Sequence, residues 1–176
     1  MEGDLLVLTV VAKGGGGDFK ARYAMINPSD SVADWVVAQL PGMGAGWCPP
    51  GVLGLGVGGS PEQAMALAKR ALFTPIDMPE LLARGAQDPV ERLRIEVHQR
   101  VNALRIGAQG LGGLTTVLDV KVATAASHAA LLPVALLPNC AATRFVTFTM
   151  PDNGPAVLPP PDPAAWDGIP DALPDS

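Results

Sequence analysis

A mixed fold of the α/β (α+β) class, with strands and helices joined by Gly-rich loops, is what this sequence predicts. Three observations carry it. Short Val/Leu runs of strand length alternate with capped, amphipathic helical segments. The core material is aliphatic, since hydrophobic residues make up 48% of the 176 and aromatics only 5%. The 20 glycines and 18 prolines concentrate at particular places instead of spreading evenly.

Taken in order, Leu5 to Val11 reads as a strand. It ends at Lys13-Gly14-Gly15-Gly16-Gly17, which cannot continue a regular sheet. Ser31 to Leu40 reads as a helix with Ser31 as N-cap, stopped by Pro41-Gly42. A flexible segment, Gly42 to Gly46, leads to Trp47-Cys48-Pro49-Pro50-Gly51. Val52 to Val57 alternates Val or Leu with Gly and predicts a strand packed close to other backbone. Ser60-Pro61-Glu62-Gln63 opens a helix with a cap, a proline at the first position and a glutamine to close a capping box. Its apolar stripe is Ala64, Leu67, Ala68, Ala71 and Leu72, and Pro75 ends it.

Asp88 to Leu104 repeats the pattern of cap and proline. Val90, Leu93, Val97, Val101 and Leu104 share one face, with Glu91, Arg92, Arg94 and Arg100 elsewhere. His98 falls on the charged side and is expected to be solvated. Three strands follow, Thr115 to Val122, Leu132 to Leu137 and Phe145 to Met150. The order of strand then helix from Val52 to Phe73 favours some parallel pairing. Residues 1–150 are expected to form one domain, and the Pro- and Asp-rich stretch 151–176 a tail or linker.

Composition excludes several functions. Net charge is −5 and no dense Lys/Arg stripe exists, so no nucleic-acid partner is expected. No apolar run approaches the ~20 residues of a membrane-spanning helix. The start, Met1-Glu2-Gly3-Asp4, lacks the basic flank of a signal peptide, so a cytoplasmic protein is expected. Two cysteines, Cys48 and Cys140, are too few for a secreted disulfide framework.

Gly54, Gly56 and Gly59 satisfy G-x-G-x-x-G before a helix, and Asp77 stands near the acidic position of a dinucleotide site. The first two glycines lie inside the strand instead of in the turn after it, which argues against that use. Cys48 is followed by two prolines and flanked by glycines, a setting that exposes a thiol on a stiff loop. Cys140 follows Pro138-Asn139 and precedes Thr143-Arg144. Arg144 suits either lowering a thiolate pKa or holding a carboxylate. Each cysteine reads as a buried structural thiol or, because distant loops can supply one cluster, as an iron–sulfur ligand. The amides of Gly14 to Gly17 read as a carboxylate cradle or a tight bend. Gly107 to Gly113 reads as packing or as site lining.

Several long ungapped blocks carry a resemblance. They are Lys13-Gly14-Gly15-Gly16; Gly46-Trp47-Cys48-Pro49-Pro50-Gly51-Val52-Leu53-Gly54 with Val57-Gly58-Gly59; Val101-Asn102-Ala103-Leu104; Gly107 through Lys121; and Pro138-Asn139-Cys140-Ala141-Ala142-Thr143-Arg144. Over about Val7 to Asp167 the chain resembles the class I, iron–sulfur-dependent fumarase and tartrate dehydratase family. The resemblance implies part of an Fe–S hydro-lyase alpha domain and a 4Fe-4S cluster held by three cysteines, with Cys48 and Cys140 as two of them. The third ligand is expected upstream of the triglycine and the catalytic base in a further domain, neither within this chain. It implies His128, in Ser127-His128-Ala129-Ala130, as a substrate contact, and Gly14, Gly15 and Gly16 beside the substrate. The implied reaction is reversible hydration of a small dicarboxylate, fumarate to malate, or dehydration of tartrate or a related hydroxy acid, with this chain alone expected to be inactive; the alternative is a non-catalytic truncated module without a complete cluster. The expected partners are the remainder of the enzyme or a beta-type subunit, together with self-association into a homo-oligomer. The chain departs from the family pattern at Gly17-Asp18-Phe19-Lys20 and at Phe145.

Overall fold

Gly51–Val57 forms the central strand β3, and its alternation sorts the fold into layers. Leu53 and Leu55 face one side, where they are buried with Val36, Leu40, Val97 and Val101. Val52 faces the other, with Ala64, Ala68 and Leu72. Gly54 and Gly56 share that second face, and a Cβ there would come within 2.3 Å of the Ala68 carbonyl and 1.9 Å of the Ala64 carbonyl. The G-x-G spacing therefore lets a helix backbone rest directly on the strand.

In this computed structural model, residues 5–151 are described, and they divide into two compact units. The larger runs from Ala12 to Arg144. Its sheet has the order β2-β5-β3-β4, from β2 (Arg22–Ile26), β4 (Val117–Thr124) and β5 (Leu132–Cys140). β3 pairs parallel with β4 and antiparallel with β5, and β5 pairs antiparallel with β2. A short helix α1 (Gly16–Phe19) precedes β2, and α2 (Val32–Met43) follows it. Between β3 and β4 lie α3 (Pro61–Ala71), α4 (Met78–Arg84) and α5 (Pro89–Ala103). α3 covers one face; α2, α4 and α5 contribute to the aliphatic core on the other.

The predicted caps form. The Ser60 hydroxyl accepts from the Gln63 amide while the Gln63 side chain accepts from the Ser60 amide at 2.9 Å. Ser31 accepts from Asp34 N–H and Asp88 from Glu91 N–H. Four expectations are corrected. Pro41 does not stop α2, which continues to the buried Met43 and ends at Gly44, where φ is 57°. The segment expected to be flexible instead holds a 3-10 turn at Gly44–Trp47. His98 is not solvated but half-buried, and Arg94 on the same helix is buried. Pro138 lies within β5, beyond the Arg22–Leu136 pairing where β2 stops, so its missing N–H leaves no ladder bond to β2 unmade. β2 and α4 had no counterpart in the sequence reading.

Among the described residues, the second unit takes in residues 5–11 and 145–151. It holds a two-stranded sheet of β1 (Leu5–Ala12) and β6 (Arg144–Pro151), in which the hydroxyls of Thr9 and Thr147 meet at 2.9 Å. Leu6, Val7, Leu8 and Val10 are all exposed. Beyond Pro151, the expected tail lies outside the described residues. Among the described residues no helix is long and apolar enough to cross a membrane.

Candidate functional site

Strand register brings the two cysteines to one end of the sheet. Gly51 at the start of β3 pairs with Cys140 at the end of β5, and Cys48 lies three residues before Gly51. A Cβ on Gly51 would strike the Asn139 carbonyl at 2.0 Å and the Trp47 ring at 2.9 Å, so only glycine admits this approach. Cys48 follows the 3-10 turn in a left-handed conformation, φ 57° and ψ 60°, with its N–H donated to the Ala45 carbonyl at 2.9 Å. That backbone is unfavourable for a residue with a Cβ and persists only where the surroundings impose it. Cys48 is exposed, Cys140 half-buried, and neither is in a disulfide. The Ala142 N–H donates to Cys140 Sγ at 3.4 Å.

The glycine segment completes the site by wedging between the two cysteine-bearing stretches. A Cβ on Gly16 would lie 2.6 Å from the Gly46 carbonyl, and one on Gly17 would lie 2.1 Å from the Pro138 carbonyl. None of Gly14 to Gly17 adopts positive φ. The requirement is therefore close approach, not the left-handed backbone expected of a cradle. Asp18 in α1 anchors the wedge through Lys13 at 2.7 Å and Lys69 of α3 at 2.8 Å. Those two bonds, Lys13 first, hold its carboxyl below the ordinary range.

A cavity of about 180 Å³ results, lined by Gly14, Gly16, Gly17, Trp47, Cys48, Cys140, Ala142 and Thr143. Gly14 has open space where a Cβ would stand. Gly15 is not part of the lining. Trp47 is fully buried, yet its indole N–H finds no acceptor among the described residues. Buried donors are almost always paired, so this one marks a place where a further acceptor belongs. Two free thiols, an N–H already donated to one sulfur and an unpaired indole N–H suit a thiolate-ligated group such as an iron–sulfur cluster. Among the described residues no group of three His, Cys, Asp or Glu forms a metal-binding cluster.

Two singled-out residues lie elsewhere. Arg144 directs its guanidinium to the carbonyls of Ala141 and Thr143, both at 3.0 Å, and thereby closes the turn after Cys140. His128 is exposed in the loop after β4. β4 runs parallel to β3, so that loop lies at the far end of the sheet from the cysteines, a strand length or roughly 20 Å away.

A buried charge lattice escaped the sequence reading. Asp119, fully buried in β4, accepts from the backbone N–H groups of Asp77 and Met78. It is bridged by Arg94 at 3.1 Å and Lys121 at 2.9 Å. The same two cations bridge Asp77. The hydrogen bond from Arg94, followed by that from Lys121, holds the Asp77 carboxyl far below the usual carboxylate range. Asp119 and Lys121, two charges on one face of an otherwise valine-rich strand, were the available signal. The lattice forms part of the wall of a larger open cavity of about 930 Å³ beside α3 and α5.

Fold and cavity together define an α/β protein that gathers two free thiols at one end of a mixed sheet. Its family follows from comparison: the fumarate hydratase (Fumerase) profile matches residues 1–149, and the chain belongs to that family. It is 36% identical over 135 residues to a putative L(+)-tartrate dehydratase subunit alpha of Methanocaldococcus jannaschii, covering 75% of this chain and 46% of that protein. It is 30% identical over 150 residues to an L(+)-tartrate dehydratase subunit alpha of Escherichia coli, covering 84% and 48%. The chain thus spans about half the length of these relatives.

Proposed function

We propose that this chain is the cysteine-bearing alpha part of an iron–sulfur hydro-lyase acting on a small dicarboxylate. In this reading Cys48 and Cys140 are two thiolate ligands of a 4Fe-4S cluster. The supporting observation is that both cysteines line one cavity with the unhindered backbone of Gly14 and with Trp47, whose indole N–H has no acceptor among the described residues. When bound, such a cluster supplies a Lewis acid, at an iron without a protein ligand, for a substrate hydroxyl and carboxylate.

The chain's own residues hold and surround that group. Cys48 and Cys140 would anchor it, and the Ala142 N–H, already donated to Cys140 Sγ, would tune the charge such a group carries. Gly14, which has open space where a Cβ would stand, leaves room for a substrate carboxylate beside the sulfurs. The third ligand would lie upstream of the triglycine and the base that removes a proton from carbon in a further domain, while the relatives' names, as alpha subunits, support a beta-type partner subunit. His128, distant from the cysteines, takes no part in this chain's cavity.

The relatives' names also favour L(+)-tartrate as substrate. Fumarate hydration is the second reading, carried by the family's name. The assay is water loss from L(+)-tartrate and hydration of fumarate by the anaerobically purified assembly. Turnover of one of them is expected, abolished in Cys48→Ser and in Cys140→Ser. Turnover of neither by a cluster-loaded assembly removes the dicarboxylate reading. Turnover by this chain alone removes the assignment of ligand and base to parts outside it.

A further inference from the structure

We propose that Asn102 is a positioning residue for Cys48, acting through the start of β4 and the glycine loop 107–113; the proposal rests on Cys48 being a site thiol. Asn102 occupies the last turn of α5. Its Oδ1 accepts from two successive backbone N–H groups, Thr116 at 2.7 Å and Val117 at 3.0 Å. Its Nδ2 donates to the Val117 carbonyl at 3.1 Å and lies 3.1 Å from His98 Nε2. All four bonding positions of the amide are in use. The two incoming N–H groups fix which end is oxygen, so Nδ2 is the donor toward His98 and Nε2 the acceptor.

Asn102 grips β4 beside the one point where the β3–β4 register shifts, between Gly51 and Val52. Two paths lead from there to the cysteine loop. On the first, the Thr116 carbonyl accepts from Gly51 N–H at 3.3 Å. On the second, the fully buried Thr116 hydroxyl accepts from Gly107 N–H at 3.1 Å, and two residues on, Gln109 N–H donates to the Pro49 carbonyl at 2.8 Å. Residues 49 and 51 are therefore both held by backbone that Asn102 orders. The residue before them, Cys48, keeps a left-handed conformation, and so does Gln109 at φ 53°. Such backbone reverts unless neighbouring bonds over-determine it. This arrangement also answers the open question of the glycine loop: it braces the Cys48 turn.

Backbone hydrogen exchange by NMR tests the proposal in wild type, Asn102→Ala and Asn102→Asp. In Asn102→Ala, protection at Cys48, Gly51 and Gln109 is expected to fall about tenfold or more while the β2–β5 ladder changes about twofold at most. Asn102→Asp keeps both acceptor bonds and should restore most of the lost protection at those three amides. The iodoacetamide labelling rate of Cys48 should shift relative to that of Cys140 in the alanine variant. A uniform loss of protection across the sheet would show a merely structural role and overturn the proposal, as would unchanged protection at the three amides. If the alanine variant does not fold, Thr116→Val, which removes the hydroxyl that accepts from Gly107 N–H on the second path, is expected to lower protection at Gln109; unchanged protection there overturns the proposal. Full cluster retention by Cys48→Ser would instead overturn the site reading and leave the exchange result standing.

Discussion

The sheet carries two concentrations of polar chemistry, built in opposite ways. At the β4 edge, Arg94 and Lys121 bridge Asp77 and Asp119 in a closed square, and leftover donors find backbone carbonyls: Arg94 Nε on Val120 at 2.6 Å, Lys121 on Pro75 at 2.5 Å. At the cysteine end, close glycine contacts draw three segments together and leave two free thiols and an indole N–H without an acceptor. A closed charge balance pins the approach to α4 onto β4 and α5 and asks for no ligand. An open set of donors held by tight backbone contacts is what a binding site requires. Charge density alone would have pointed to the lattice instead of the cysteine end.

The comparison breaks most sharply at Arg94. Arg94→Met leaves the buried Asp119 with one cation, and breaking a buried pair in this way costs about 3–5 kcal/mol. Urea unfolding should report that loss, with no change in cluster affinity per folded molecule. An unfolding midpoint equal to wild type would mean the lattice is not a lock. A smaller and more local effect is expected at the wedge. Gly17→Ala drives a Cβ into the Pro138 carbonyl, and such overpacking costs about 1–3 kcal/mol. It should also weaken whatever the cavity holds, because Pro138 immediately precedes Asn139 and Cys140. Gly14→Ala meets no atom within 4 Å and serves as the contrast: stability within about 0.5 kcal/mol of wild type, but a smaller cavity. Equal destabilisation by both substitutions would contradict the wedge.

Much of this was legible in the sequence, and the failures have physical causes. Ser31, Ser60 and Asp88 announced three helices because capping chemistry is local. The Val/Gly alternation of 52–57 announced a strand under close backbone, and α3 rests there. The burial of Arg94 was not legible because helical periodicity places a side chain on a face but cannot reveal a partner such as Asp119, 25 residues on. His98 was misread for the same reason, since its ring is turned toward Asn102. Pro41 and Pro138 look like stops until their neighbours are known. At the site, the cysteines and the glycine segment could be picked out by residue type and setting. Trp47 could not, because an unpaired donor is a property of three-dimensional packing. The distance of His128 from them follows from β4 running parallel to β3, which sequence order alone does not fix.

The central claim is that Cys48 and Cys140 serve one cluster. Anaerobic reconstitution of the full assembly with iron and sulfide tests it most directly, read by absorbance and by EPR after mild oxidation, alongside Cys48→Ser and Cys140→Ser. The account predicts a cluster signal in the parent that each single substitution removes. A full signal in either variant would contradict it.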